Sequence, residues 1–165
     1  MTQPDSSAID QALIDRLQDD PALAALLQPG ASVFMDEAPP GSTAFVIVSL
    51  VDEQDVPRFG GRAFEDALYL VKVVELSTVP VRHSHAAAAR IDAVLHEGRL
   101  MAPGYGGLGL AREGRFDVTE ETGADTSIVW RHRGGYYRVQ MQLRPGLPIA
   151  SDWVAPGWVA DGWAA

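Results

Sequence analysis

The chain has 165 residues, 47% hydrophobic and 21% charged, a balance that suits one globular core and excludes wholesale disorder. Its formal charge of −9 sits at the front: residues 1–60 hold ten Asp or Glu against Arg16 and Arg58, and the remainder is nearly balanced. That argues against a protein whose main affinity is for phosphate backbones, and the absence of cysteine excludes thiolate catalysis, disulfides and Cys-based zinc sites.

No apolar run approaches the roughly 20 residues needed to cross a bilayer, so no membrane association is expected. Asp5, Asp10 and Asp15 interrupt any secretory leader from the start. Ser7 followed by Asp10 reads as a helix start, and Ile9, Leu13 and Leu17 then recur at four-residue spacing to form one apolar stripe. Asp20-Pro21 is a second start signal, with Leu23, Leu26 and Leu27 continuing the pattern to Pro29-Gly30. Val33 to Met35 is a brief strand, ended by Pro39, Pro40 and Gly41. Ala44 to Val51 has almost no polar relief and is expected to be a central strand buried on both faces.

Residues 52–62, with three acids, Pro57, Gly60 and Gly61, have the composition of a loop that reaches away from the body. Phe64 to Leu76 alternates as a long strand. From His83 to His96, Ser84, Ala88, Ile91 and Leu95 line one face of a helix whose alanines permit close approach to a sheet, and Gly98 can end it. A glycine loop, Gly104 to Gly109, leads into strand-like Leu110 to Glu121. Thr126 to Trp130 is also β-prone, and Gly134-Gly135 suggests a tight turn into a last strand, Tyr136 to Leu143.

After Pro145 the composition changes to an imperfect five-residue repeat that carries Trp153, Trp158 and Trp163, three of the four tryptophans of the chain. A period of five matches neither a helical face nor strand alternation. The segment is expected to be a contact device that docks on a neighbouring subunit or protein, the alternative being that it folds back on its own domain. The fold class is therefore α+β: an antiparallel or mixed sheet of about four to five strands with two main helices packed on it, plus an extended Trp-rich C-terminal tail. Residues 1–145 form the domain and 146–165 the extension.

No reactive constellation emerges. Gly104-Tyr105-Gly106-Gly107-Leu108-Gly109 fits G-x-G-x-x-G, but it follows a helix and enters a strand, the reverse of the context in which such glycines bring pyrophosphate to a helix N-terminus. His83, His85 and His96 lack a metal-ligand spacing, and adjacent Glu120 and Glu121 would face opposite ways on a strand. His132, between Arg131 and Arg133, is a weak candidate for an anion contact. The reading is of a non-enzyme with no catalytic, cofactor or metal residues.

The helix with "DPALAALLQPGASVFMDEAPPGSTAFVIVSL", the strand "ALYLVKVVEL", the helix "SHAAAARIDAVLHEGRL" and the final "HRGGYYRVQMQL" together resemble the tail terminator, or tail-completion, family of long-tailed bacteriophages and gene transfer agents. The resemblance spans about residues 8–144 and is one of layout and texture. It implies a virion structural protein at the tail–neck junction. Such a protein would form a hexameric ring that caps the tail tube, ends its polymerisation and meets the head-side connector, with DNA passing through the lumen without sequence-specific binding.

Ring contacts are expected from Asp52, Glu53, Asp55, Arg58 and Phe59 in the loop, from Arg131, Arg133 and Arg138, and from Trp153, Trp158 and Trp163. The arginines would meet the acidic front of the next subunit. Two other readings stay open. One is another neck or connector subunit of the same particle; the other is a small cellular ligand-binding module in which the Gly104–Gly109 loop lines the site.

Overall fold

A computed structural model describes residues 6–27, 33–58, 61–77, 81–121 and 128–144, with side chains left out at 57, 58, 61–63, 81 and 82. The elements run α1 (Ser7–Gln18), α2 (Pro21–Ala24), β1 (Val33–Met35), β2 (Ala44–Arg58), β3 (Gly61–Leu76), α3 (Val81–Leu95), β4 (Tyr105–Glu121) and β5 (Val129–Leu143). The five strands form one mixed sheet in the order β1-β2-β3-β5-β4. Only β1 and β2 are parallel; the other three pairings are antiparallel.

All three helices contribute to one core on one face of the sheet. Ile9, Leu13 and Leu17 of α1, Leu23 of α2 and Ala87, Ile91 and Leu95 of α3 are buried against Val46, Val71, Tyr69, Tyr137 and Val139. Burying each Leu or Ile of that set contributes about 1.5–3 kcal/mol. The small side chain of Ala87 lets α3 lie close to β3 and β5, as its alanine content predicts. Asp20 caps α2 by accepting the Leu23 N–H at 2.7 Å, and Pro21 follows at the first helical position. At α1 the expected cap is displaced: Ser6 precedes the helix and makes no side-chain capping bond, so Ser7 is its first residue rather than its cap.

Four other expectations are corrected. Residues 52–58 are strand, not loop: β2 continues to Arg58 and pairs Asp52 with Leu68 through Val56 with Phe64. β1 covers only Val46 to Val48, so the far half of β2 is an edge, where Pro57 is tolerated beside a bulge between Val56 and Pro57. Gly106 to Gly109 belong to β4, paired with Gln142 to Gln140 of β5. Gly134 and Gly135 lie inside a continuous β5, and neither has a positive φ.

Close approach explains that last pair. A Cβ on Gly134 would stand 2.0 Å from the Val71 carbonyl oxygen, and one on Gly135 would stand 2.8 Å from that of Gly114. Finally, α3 ends at Leu95, three residues before the Gly98 expected to end it, and the left-handed residue that follows is Glu97 (φ 57°). The reading of Ala44 to Val51 is half right. Ala44 to Val48 is buried on both faces, with Val46 and Val48 towards the helices and Phe45 and Ile47 on the other side, but Leu50 and Val51 are exposed and β3 is the central strand.

Candidate assembly surfaces

Among the described residues, the second face of the sheet carries no helix. Phe34, Phe45, Ile47, Val74 and Trp130 form a small cluster there, with the Ala38 segment between β1 and β2 packed on it. Its rings meet in sequence, Phe34 to Phe45 and Phe45 to Trp130, each with centroids 6.2 Å apart. Further along, Phe116 meets Tyr136 edge to face at 6.0 Å, and Lys72 Nζ lies 5.5 Å from the Phe116 ring centre.

Arg133 and Arg138, both expected to serve as contacts, are engaged within the chain. Arg133 donates to Asp117 at 2.7 Å. Arg138 donates to Asp66 at 2.6 Å and forks onto Glu113 through Nε and Nη2. Glu113 and Asp66 keep the Arg138 guanidinium protonated far above the accessible pH range. Burial works against the Asp66 carboxylate, yet the Arg138 and Gln140 hydrogen bonds hold it below its usual value. Arg131 stands opposite Glu75 in the β3–β5 register, and Glu75 is buried. His132 Nε2 lies 3.2 Å from Glu120, while burial and then Lys72 push its pKa down, so it is not built to hold a cation charge for an anion.

Three acids of the β2–β3 arm, Glu53, Asp55 and Glu65, share the helix-bearing side, whereas Asp66 faces Arg138 on the other. Carboxylate oxygens of Glu53, Asp55 and Glu65 lie within 4.8 Å of one another, with Glu65 fully buried and accepting the Tyr105 hydroxyl at 2.7 Å. Tyr69 donates to Asp10 at 2.6 Å, and burial first, then Asp10, raises its hydroxyl well above the ordinary tyrosine range. Asp52 is opposite Leu68 in the register, and Arg58 closes β2. Phe59, Trp153, Trp158 and Trp163 lie outside the described residues.

The remaining motifs acquire structural roles. His96 Nδ1 accepts the Arg112 backbone N–H at 3.1 Å, and His83 and His85 are exposed on α3. The glycines at 106, 107 and 109 are ladder residues, so a ligand loop there loses its loop. A Cβ on Gly107 would meet the Leu100 carbonyl oxygen at 2.5 Å, which explains a glycine where the loop after α3 crosses β4. Among the described residues, no helix is long and apolar enough to cross a membrane.

One surface was not legible in the sequence. Between α1 and the segment 99–103 lies a groove of about 600 Å³, whose lining mixes apolar Ala8, Ala12 and Leu100 with polar Gln11, Asp15 and Arg99. Arg16 fixes its wall by donating to the Val94 carbonyl at 2.9 Å and the Arg99 carbonyl at 2.7 Å.

No protein-family model matches the chain, and no curated protein matches it in sequence. Solved structures do match. The chain has the fold of a protein in the virion of a native gene transfer agent particle, 23% identical, aligned over 83% of this chain and 96% of that one with a TM-score of 0.58. A second solved chain is 17% identical over 86% of this chain and 99% of its own, with a TM-score of 0.53. What is shared at these identities is the fold: the mixed sheet with its helices on one face.

Proposed function

We propose that this chain is a structural protein of a phage-like or gene transfer agent virion. In this reading it caps the tail tube as a homo-oligomeric, hexameric ring, ends tube growth and joins the tail to the head-side connector. The observation that carries the proposal is the fold match across nearly the whole of a gene transfer agent virion chain. The tail-terminator texture of residues 8–144 supports the narrower placement.

A ring needs two different complementary surfaces on each subunit. The fold supplies different ones at its two sides, the far half of β2 with Asp52, Glu53 and Asp55, and the outer edge of β4. A net charge of −9 suits a lumen through which DNA slides without adhering. No catalytic, cofactor or metal role enters the proposal.

The test is made in particles. Removing the gene from a producing strain should give tails of uncontrolled length that lack heads, and antibody labelling of complemented particles should fall at the tail–neck junction. Tails of normal length with label elsewhere overturn the capping role. Label in the neck with normal tail length supports instead another neck subunit, a reading that the same fold match favours. The mass of the purified protein by light scattering checks the ring directly.

A further inference from the structure

β5 carries Arg131, His132 and Arg133 in succession, and strand alternation parts them. Arg133 reaches Asp117 on the helix-bearing side, and Arg131 shares that side by alternation. His132 stands on the opposite face, between Val74 of β3 and Val118 of β4. Lys72, the only lysine of the chain, is one diagonal step away on β3, and Glu120 is one diagonal step away on β4. The His132 side chain is 13% exposed; its Nε2 lies 3.2 Å from Glu120 Oε2, and its Nδ1 is buried without a hydrogen-bond partner among the described residues.

We propose that His132 is an acid-sensitive latch, whose protonation in mild acid loosens the end of the sheet formed by residues 116–121 of β4 and 129–133 of β5 while the rest of the fold stays closed. Its position sets the sign. The imidazolium would have to be held where little water reaches it, with an Nδ1–H that meets no acceptor. It would also stand beside the Lys72 ammonium, which lies over the Phe116 ring. Glu120 pulls the other way, but its side chain is 60% exposed and water screens the attraction.

The other neighbours bring no opposing charge. β2 presents Phe45 and Ile47 on the same face, and Tyr136 of β5 packs on Phe116. The Ala38 segment on the nearby Trp130 cluster carries exposed Asp36 and Glu37, and neither moves the His132 titration. Burial first and Lys72 second therefore hold the imidazole below its ordinary 6.5. An opened end, with His132 hydrated, takes up its proton at the ordinary value. The closed form keeps its full advantage above about pH 6.5 and loses it as the pH falls from there through the lower folded value.

The loosening is local because the sheet ends here. The β3–β5 ladder stops at Leu76 with Trp130, two residues beyond His132, and β4 is an edge strand. The latch stands whether or not the protein is a virion component; that it would tune the outer edge of β4 as a ring surface rests on that reading.

Hydrogen exchange of the full-length protein, expressed as protection factors at about pH 7.5 and about pH 5.5, tests the latch. Protection of residues 116–121 and 129–133 is expected to fall several-fold on acidification, with Val139 and Met141 unchanged. His132→Gln should abolish the fall, whereas an effect of the exposed His83, His85 and His96 would persist in that variant. Lys72→Met should shrink the fall by removing repulsion, and Glu120→Gln should enlarge it by removing attraction. If His132→Gln does not fold, those two opposed shifts decide the matter alone. The latch is overturned by constant protection in the native protein, by an equal fall in His132→Gln, or by a fall that both Lys72→Met and Glu120→Gln leave unchanged.

Discussion

Lys72 Nζ sits 5.5 Å from the centre of the Phe116 ring, across a cross-strand row in which Gly134 has no side chain to intervene. The ammonium of β3 thus reaches the ring of β4 over the β5 backbone, joining three strands on the face opposite the described helices. A double-mutant cycle of Lys72→Met with Phe116→Leu should give a coupling of about 0.5–1 kcal/mol in urea denaturation. Additive single effects would show that the two groups are merely near each other.

Gly134 itself should not tolerate a side chain. Its added Cβ would meet the Val71 carbonyl oxygen at 2.0 Å and Lys72 Cα at 2.7 Å, and both belong to the backbone of the central strand. Gly134→Ala is expected to destabilise by about 1–3 kcal/mol, read as a lower urea midpoint at unchanged slope. Gly109→Ala is the control, because its nearest neighbour would be a glutamine side-chain atom at 3.7 Å, ordinary contact.

Acid should weaken the junction of α2 with α3. Arg90 donates to Asp20 at 2.9 and 2.5 Å, and this bond, opposed by burial and helped by the Leu23 N–H, lowers the Asp20 carboxyl from 3.8 to about 2. The folded value lies below the unfolded one. Its contribution is therefore complete above about pH 4 and is lost as the pH falls through 2. Arg90→Ala should flatten the stability profile between those limits, measured by thermal melts at constant ionic strength. Asp20→Ala, which also removes the α2 cap, should cost about 0.5–2 kcal/mol at neutral pH from the cap alone.

Where β4 begins, the Tyr105 hydroxyl donates to buried Glu65 at 2.7 Å, tying β4 to β3 across the intervening β5. Tyr105→Phe keeps the ring and deletes that bond. Removing one partner of a buried hydrogen bond costs about 1–3 kcal/mol. That loss should appear in equilibrium denaturation, with hydrogen exchange accelerating first at residues 105–110.

Local patterns were readable in the chain, and the non-local ones were not. The spacing of Ile9, Leu13 and Leu17 and the Asp20-Pro21 start each depend on a few neighbouring residues, and each lies where expected. Gly134-Gly135 misled because glycine serves a tight turn and a close backbone approach equally well, and only the position of Val71 decides between them. Residues 52–58 misled because acids and a proline are tolerated on an edge strand whose partner is β3. The partners of Arg133 and Arg138 depend on the register of β5 against its neighbours, and the groove exists only because α1 meets a segment some eighty positions later.

The strand order also dictates how such a chain assembles itself. β2 with β3 and β4 with β5 are hairpins closed by short connections, so each can form from nearby residues on the microsecond scale. The seam between them, Phe64 with Gln142 through Leu76 with Trp130, requires α3 and all of β4 to be spanned first. Zipping β3 to β5 is thus the slow, entropically expensive event. Until it is complete, a newly made chain presents two additional open strand edges rich in valine and tyrosine, and self-association competes with folding there.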